Sequence, residues 1–283
     1  MRTLAVVACI LTVLLSGCGR KEESGKPCVA VSSEPLAWLL RQIAGDDVET
    51  VTLIPPGSNP ETYQPSVGTM KELANASVFF TLNTPGFEKS LGNSIAGNFP
   101  DLPITDVSEG IEKIYGTHAA TNESENGFDP HMLTSLRNCM MIGETMTETL
   151  SEMFPDKAAS YAGEYGKLRS RLSELDSIIA TKDIKGKTIV VKHPVLTYFA
   201  RDYGIRQIAL EKEGKEPTPL QLSAQIESIR NASPSIVVTE PSGNNALETQ
   251  VSEELGIPMV EVNLSSDKWI DELSRTADEI DRN

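Results

Sequence analysis

The sequence predicts an α/β protein made of two parallel-sheet lobes that are joined by one long helix. Strand-like and helix-like segments alternate between positions 29 and 107, and a second alternating set extends from position 188 to 280. Such alternation is typical of parallel sheets whose strands are connected by crossover helices. A long helical period at positions 158 to 179 separates the two sets. A chain of 283 residues is long enough for two ordinary domains.

Each lobe is predicted to contain four strands. In the first lobe, apolar and β-branched runs predict strands at residues 29–32, 48–54, 78–82 and 102–107, and helical periodicity predicts helices at residues 36–44, 67–75 and 87–96. In the second lobe, strands are predicted at residues 188–192, 207–210, 236–239 and 259–262, with helices at residues 196–203, 219–231, 245–255 and 266–280.

The predicted connecting helix has apolar and aromatic residues spaced by three and four. These residues are Ala158, Tyr161, Tyr165, Leu168, Leu172, Leu175 and Ile179. The helix would contain roughly 25 residues and extend about 40 Å, which is enough to contact both lobes. The seam also fits a coiled-coil dimer, but fewer than about four heptads flanked by sheet-forming sequence favour packing within a monomer. We therefore expect lobes at residues 27–153 and 185–283, bridged by residues 154–184.

The amino-terminal segment predicts an exported, lipid-anchored protein. The apolar stretch at residues 4–15 has the length of a secretory signal and is shorter than the roughly 20 residues of a membrane span. Leu15-Ser16-Gly17-Cys18 resembles a bacterial lipobox, which implies removal of residues 1–17 and acylation of Cys18. Residues 18–26 would then form a flexible tether. The protein would be periplasmic or at the cell surface, and would contact the membrane only through its lipid.

The net charge argues against two classes of partner, and the cysteine count leaves two possible states for the remaining cysteines. The chain has 25 basic and 40 acidic residues, and a net charge of −15 makes nucleic acid and anionic lipid surfaces poor partners. Of the four cysteines, Cys9 would leave with the signal and Cys18 would carry lipid. The remaining pair, Cys28 and Cys139, fits a disulfide outside the cytoplasm, and fits two buried thiols equally well.

Two of the three histidines stand where metal ligands are commonly presented. His193 follows the predicted strand at residues 188–192, and His131 lies in the loop sequence Phe128-Asp129-Pro130-His131. Neutral imidazole is the most common side-chain metal ligand, and loops beyond strands often carry function. A histidine beside a strand is also often a hydrogen-bonded structural residue. Glu61, in the stiff, proline-rich loop of residues 55–65, is a third candidate.

Three segments resemble the signature regions of the zinc and manganese substrate-binding lipoproteins of ABC transporters. They are residues 54–63, Asp129-Pro130-His131-Met132, and His193-Pro194 with the following residues 198–204. The resemblance covers essentially the whole mature chain. It implies a metal site in the cleft between two α/β lobes, formed by Glu61, His131 and His193. The family usually has histidine in the place of Glu61, so the site of this chain would combine two imidazoles with one or two carboxylates.

The resemblance also implies a fourth, acidic ligand near the last strand of the second lobe. Asn263 stands near that position, so Asp267 and Glu240 are alternative candidates, and water is the third. Asp267 also suits a capping role at the start of the final helix. We expect Zn²⁺ as the metal, because nitrogen and oxygen sites generally bind it more tightly than Mn²⁺, while the carboxylate makes Mn²⁺ the alternative.

Two polar segments are more typical of a solvated linker or turn than of a binding site. His118 lies where zinc-binding members of the family carry a histidine-rich loop, but a single histidine in a polar, aperiodic segment fits a solvated linker better. The mixed charges of residues 211–217, just before a predicted helix, indicate a solvated turn.

The resemblance implies capture of a metal ion and its delivery to an ABC-transporter permease, without catalysis. A metallohydrolase would need a metal-bound water beside a general base, and the sequence has no His-Glu-x-x-His or comparable motif. A two-lobe binder of haem, a corrinoid or a siderophore should have an aromatic-rich cleft, whereas aromatic residues form 5% of the chain. A surface adhesin lipoprotein is the remaining alternative, since family members are also assigned that role.

Overall fold

A computed structural model of the protein describes residues 25–55, 63, 65–84, 87–116, 127–211, 215–241 and 244–283. The described residues form two four-stranded sheets and nine α-helices. The strands are Cys28–Val31 (β1), Glu49–Thr52 (β2), Val78–Thr81 (β3), Ile104–Asp106 (β4), Thr188–Val191 (β5), Arg206–Ala209 (β6), Ile236–Thr239 (β7) and Met259–Glu261 (β8). The helices are Glu34–Ala44 (α1), Val67–Leu73 (α2), Phe87–Asn98 (α3), Leu136–Met153 (α4), Ala158–Ala180 (α5), Thr197–Tyr203 (α6), Pro219–Asn231 (α7), Ala246–Leu255 (α8) and Trp269–Arg282 (α9).

Both sheets have the same strand order, β2-β1-β3-β4 in the first lobe and β6-β5-β7-β8 in the second. All neighbouring strands are parallel, and the central pairs align Val31 with Phe80 and Val191 with Val238. The direction of winding therefore reverses between β1 and β3, and again between β5 and β7. In open α/β sheets, ligands usually bind at such a reversal, beyond the carboxyl ends of the strands. The predicted fold class, two parallel-sheet lobes with a connecting helix, is confirmed.

Helix α5 is the predicted connecting helix. It contains 23 residues and follows a short 3-10 turn at Pro155–Lys157. All seven positions of the predicted seam are buried or half-buried, and Tyr161, Leu168, Leu172 and Ile179 are almost fully buried. The helix packs on α1 and α4 of the first lobe and contacts α9 of the second. The seam is therefore occupied by intramolecular packing.

Helix α4 was not predicted from the sequence. Ser135 caps its first turn, because the Ser135 Oγ accepts a hydrogen bond from the backbone N–H of Asn138 at 3.1 Å. The helix packs closely along α5, and Gly143 leaves room for the ring of Tyr165. A Cβ atom at position 143 would lie only 3.1 Å from that ring. The Tyr165 hydroxyl also donates to the carbonyl of Met140 at 2.9 Å, which fixes α5 against α4.

One apolar core, called here the shared core, is common to the two lobes. It includes the nearly inaccessible residues Val31 and Phe80 of the first sheet and Ile189 and Val238 of the second. Helices α1, α4, α5, α6 and α9 supply most of the remainder. A smaller outer core lies on the opposite face of each sheet, beneath α2 and α3 in the first lobe and beneath α7 and α8 in the second. Because one core serves both sheets, the lobes are packed together.

Two tryptophans lie at the contact between the lobes. Trp38 of α1 and Trp269 of α9 meet edge to face, with ring centroids 6.1 Å apart and an interplanar angle of 83°. Edge-to-face pairs of this kind stabilise by about 0.5–1.5 kcal/mol beyond the burial of their area. The pair therefore strengthens the packing of the first helix against the last.

The two remaining cysteines are separate thiols, so the disulfide alternative is wrong. Cys28 begins β1, whereas Cys139 is fully buried in α4, where its Sγ donates to the carbonyl of Leu133 at 3.3 Å. Burial raises the pKa of both thiols. Cys139 therefore behaves as a small core residue that has a hydrogen-bond acceptor. Among the helices of the described residues, none is long and apolar enough to cross a membrane.

Candidate metal centre

The two loops that carry His131 and His193 meet where the lobes face each other. His193 lies two residues beyond β5, at the reversal of winding in the second sheet, and His131 directly precedes a 3-10 turn at Met132–Thr134. The two rings are edge to face, with centroids 5.5 Å apart and an interplanar angle of 80°. Each side chain is 22% exposed, so both rings are sheltered but remain in reach of solvent.

The His131 ring is oriented by a buried carboxylate. Asp129 is fully buried, and its Oδ1 lies 3.0 Å from His131 Nδ1. The same oxygen accepts the backbone N–H of His131 at 2.9 Å. Since an ionised carboxylate only accepts hydrogen bonds, Nδ1 carries the proton and Nε2 carries the lone pair. This arrangement, a carboxylate behind an imidazole, is the usual support of a metal-binding histidine.

His193 is held in the neutral form needed for metal binding. Burial, and then the nearby His131, lower the pKa of His193 to about 4, and the Asp129 carboxylate offsets part of that shift. The ring is therefore uncharged at neutral pH. A divalent ion arriving at pH 7 would not need to displace a bound proton from this residue. On its other side, Nδ1 of His193 lies 3.4 Å from Oε2 of Glu211.

Helix α6 fixes the His193 loop to the first lobe. Tyr198, five residues after His193, donates its hydroxyl proton to the carbonyl of Asp129 at 3.0 Å. The same hydroxyl accepts the backbone N–H of Ile114 at 3.3 Å. Burial raises the pKa of Tyr198 to about 12, so the phenol stays protonated and able to donate. The position of one histidine loop is thereby coupled to that of the other.

A second group of polar contacts joins α6 to the first lobe. Ser135, the cap of α4, donates to the almost completely buried carboxylate of Asp202. Arg201 reaches the carbonyl of Glu112 at 3.3 Å and the side-chain oxygen of Asn138 at 3.4 Å. These contacts involve partly buried groups in both lobes, so they restrict relative movement near the site.

The sequence-predicted ligands have different placements. The structure brings His131 and His193 together, while Glu61, His118 and Cys18 lie outside the described residues. Glu240 is half-buried directly after β7, at the carboxyl edge of the second sheet. Within the described ranges, no three histidine, cysteine, aspartate or glutamate side chains form a group that could hold a metal. The ligand role of Glu61 stays a prediction.

Asp267 is exposed and precedes α9 by two residues. Lys268 occupies the cap position of that helix, and no side chain makes a capping hydrogen bond there. The capping role considered for Asp267 is therefore wrong. Its role as a ligand stays a prediction.

Sequence reasoning missed two carboxylates that face the imidazoles. From the sequence, Asp129 is only part of a motif, and residues 211–217 are expected to form a solvated turn. Glu211 is in fact 14% exposed and lies beside His193. One sequence signal for Glu211 is that it directly follows a predicted strand, residues 207–210, whereas the position of that strand next to β5 is visible only in the structure.

Comparison with known proteins links this arrangement to metal uptake. The family model described as "Zinc-uptake complex component A periplasmic", ZnuA, matches residues 29–282. The manganese-binding lipoprotein MntA of Halalkalibacterium halodurans is 26% identical over 89% of this chain and 85% of its own length. The zinc-binding lipoprotein AdcA of Streptococcus pneumoniae is 24% identical over 89% of this chain, but this chain spans only about half of AdcA, 53% of its length.

A solved structure supports the fold. The crystal structure of a ZnuA protein superposes with a TM-score of 0.82 at 23% identity, covering 91% of this chain and 99% of that one. At this level of identity the likeness concerns the fold, which is the two-lobe architecture described above.

Proposed function

The chain belongs to the ZnuA family of periplasmic zinc-uptake components, and we propose that it captures a divalent transition metal ion outside the cytoplasm and delivers it to an ABC-transporter permease. One observation carries the proposal. His131 and His193 come from opposite lobes and meet with ring centroids 5.5 Å apart. Imidazole nitrogens bind zinc at about 2.0–2.1 Å, so two rings this close can share one ion.

The electrostatics of the pair support binding of a cation. His193 has a pKa lowered to about 4 and is neutral at pH 7, while the proton on His131 is held at Nδ1 by Asp129. Two imidazole rings this close are suited to a divalent ion. Glu61 is the proposed third ligand, and Glu240, Asp267 or water the fourth. Two carboxylates with two neutral imidazoles would balance the charge of a divalent ion.

Zinc is the expected cargo and manganese the alternative. Nitrogen donors favour Zn²⁺ over Mn²⁺ in the usual order of affinities, whereas each carboxylate oxygen makes Mn²⁺ more acceptable. The names of the relatives include both metals. Family membership therefore supports a divalent ion, and the choice of element rests on the donor set.

Capture requires no bond making in the protein. The ion exchanges its water for side-chain ligands of the two lobes, and the protein then hands it to the permease as a substrate. Cys18 is the proposed site of lipid attachment, so a monomer tethered to the membrane would stay near its permease. A Cys18→Ala variant should lose its membrane association when cell fractions are separated.

Elemental analysis tests the proposal directly. The protein, purified from cells without added metal or a metal-affinity tag, should contain close to one equivalent of zinc or manganese. After removal of the metal with a chelator, competition titrations with Zn²⁺ and Mn²⁺ should give tight, saturable binding of one ion, tighter for Zn²⁺. Protein that contains no divalent metal and binds neither ion would contradict the proposed function.

A further inference from the structure

The backbone of the second sheet places Glu211 beside His193. β5 and β6 pair in parallel, with Val191 opposite Ala209. The ladder continues beyond the strands, because the N–H of Leu210 donates to Val191 at 2.9 Å and the N–H of Glu211 donates to Lys192 at 3.0 Å. The first residues beyond the two strands are thereby held side by side. The position of Glu211 is set by main-chain bonds and does not depend on its own side chain.

The two side chains meet in a sheltered place. Oε2 of Glu211 lies 3.4 Å from Nδ1 of His193, and the two side chains are 14% and 22% exposed. Water screens such a pair less than it screens a surface pair. A carboxylate at this distance favours the tautomer whose proton is on Nδ1, and that tautomer leaves the lone pair on Nε2.

Lys192 lies near the other oxygen of the same carboxylate. Its Nζ lies 4.0 Å from Oε1 of Glu211 and 2.6 Å from Oε1 of Glu216, with the lysine side chain 22% exposed. Lys192 therefore forms a short ion pair with Glu216 and a longer one with Glu211. The carboxylate of Glu211 thus lies between a cation and an imidazole, one near each oxygen.

The first lobe has the same pattern with different partners. His131 Nδ1 has Asp129 at 3.0 Å, as His193 Nδ1 has Glu211 at 3.4 Å. Both rings therefore have a carboxylate behind Nδ1, and both would present Nε2 to a common ion. The contact of His193 is longer than a normal hydrogen bond, so it is an ion-pair distance in this structure.

We propose that Glu211 is a positioning residue for His193, holding the ring in the tautomer and orientation that direct Nε2 toward the metal, with Lys192 keeping the carboxylate in place. This role rests on the proposed function, because it assumes that His193 binds the captured ion. It assigns no metal contact to Glu211. The carboxylate would act through the imidazole, as outer partners of metal-binding histidines do.

Nitrogen NMR can test the role on metal-free protein. The chain has three histidines, so ¹⁵N-histidine labelling gives few ring signals, which His131→Gln and His118→Gln variants would assign. At pH 7.5 with a chelator present, wild-type His193 should have its proton on Nδ1. In Glu211→Ala the proton should shift toward Nε2, while Glu211→Gln, whose amide oxygen still accepts, should keep the wild-type pattern. Glu253→Ala, an equal change of charge at an exposed site on α8, is the matched control.

Zinc titration provides the second readout. Glu211→Ala should weaken zinc binding by about 10- to 100-fold, as for other outer partners of histidine ligands. Glu211→Gln should recover most of that loss, and Glu253→Ala should bind like wild type. An unchanged His193 tautomer in Glu211→Ala would overturn the proposal, and so would equal losses in the Ala and Gln variants, which would indicate direct metal contact. If the wild-type protein binds no metal, the proposed function is wrong. The tautomer of His193 in the metal-free protein would still decide whether Glu211 positions that ring.

Discussion

The hydroxyl of Tyr198, on α6 of the second lobe, donates a 3.0 Å hydrogen bond to the backbone carbonyl of Asp129, two residues before His131 in the first lobe. Tyr198 also follows His193 by five residues. The bond therefore connects the two short segments that carry the imidazoles. Both residues are fully buried, so the bond holds the two segments together in the interior of the protein.

Loss of either imidazole should strongly weaken metal binding. His131→Ala or His193→Ala removes a proposed direct ligand, so zinc affinity should fall by more than the roughly 10- to 100-fold that is typical of an outer partner. Competition titration with a chromophoric chelator measures the change. His118→Ala, from the segment predicted to be a solvated linker, should bind like wild type. Unaltered affinity in His193→Ala would exclude that residue from the site.

Removing the Tyr198 hydroxyl should loosen the site as well as the fold. Tyr198→Phe should lower the free energy of unfolding by about 1 kcal/mol, the usual net value of one hydrogen bond, and should also weaken zinc binding. Tyr165→Phe is the matched control, because its hydroxyl donates to Met140 within the first lobe. That variant should lose similar stability in urea unfolding with unchanged zinc affinity. Equal zinc affinity in both variants would argue against coupling through Tyr198.

His193 should make the stability of the metal-free protein depend on pH. Its folded pKa is lowered to about 4, whereas an unfolded histidine titrates near 6.5, so the unfolded chain binds the extra proton between these values. The contribution of His193 to the free energy of unfolding is therefore complete above about pH 6.5. It is lost progressively as the pH drops toward 4, by up to about 3 kcal/mol. Urea unfolding of the wild type and of His193→Gln, both with a chelator, isolates this contribution. Parallel curves for the two proteins would show that the ring is not buried as described.

The shared core should make the two lobes unfold together. Leu172→Ala, in α5, removes a side chain that is only 1% exposed and should cost about 2–5 kcal/mol. Circular dichroism reports both lobes, whereas fluorescence reports the contact of Trp38 with Trp269. The two signals should change at the same urea concentration in the wild type and, at a lower concentration, in Leu172→Ala. Leu222→Ala, in the outer core of the second lobe, is the control for the loss of a buried leucine outside the shared core. Two separate transitions in the wild type would contradict a common core.

Most of the fold could be predicted because its signals are local. The central strands β1, β3, β5 and β7 are short, mostly apolar runs, and the seam from Ala158 to Ile179 has a clear helical period, so the strands and the connecting helix could be predicted within a few residues. Helix α4 was missed although Leu136, Cys139, Ile142 and Met146 have helical spacing. Threonine, asparagine and glycine weaken its intrinsic helix preference. Packing against α5 overrides that weakness, and the Thr147 hydroxyl is satisfied by the carbonyl of Gly143 at 2.7 Å.

The site was predicted in part, for the same kind of reason. His131 and His193 could be singled out because each stands in a loop with a recognisable sequence. The support of Glu211 depends on which strand lies next to β5, and the bond of Tyr198 to Asp129 joins residues 69 positions apart. Such pairings follow from the arrangement of strands and helices in space, which a single sequence does not contain.

The apolar interior common to both sheets also limits how the ion can be released. Separating the two lobes would expose the apolar faces around Phe80 and Val238 to water, at a cost of about 25 cal/mol for every Å² exposed. It would also break the contact between Trp38 and Trp269. Displacing one loop at the rim of the site would cost a receiving protein much less free energy than separating the two lobes. Unloading should therefore involve small, local rearrangements around a nearly rigid carrier.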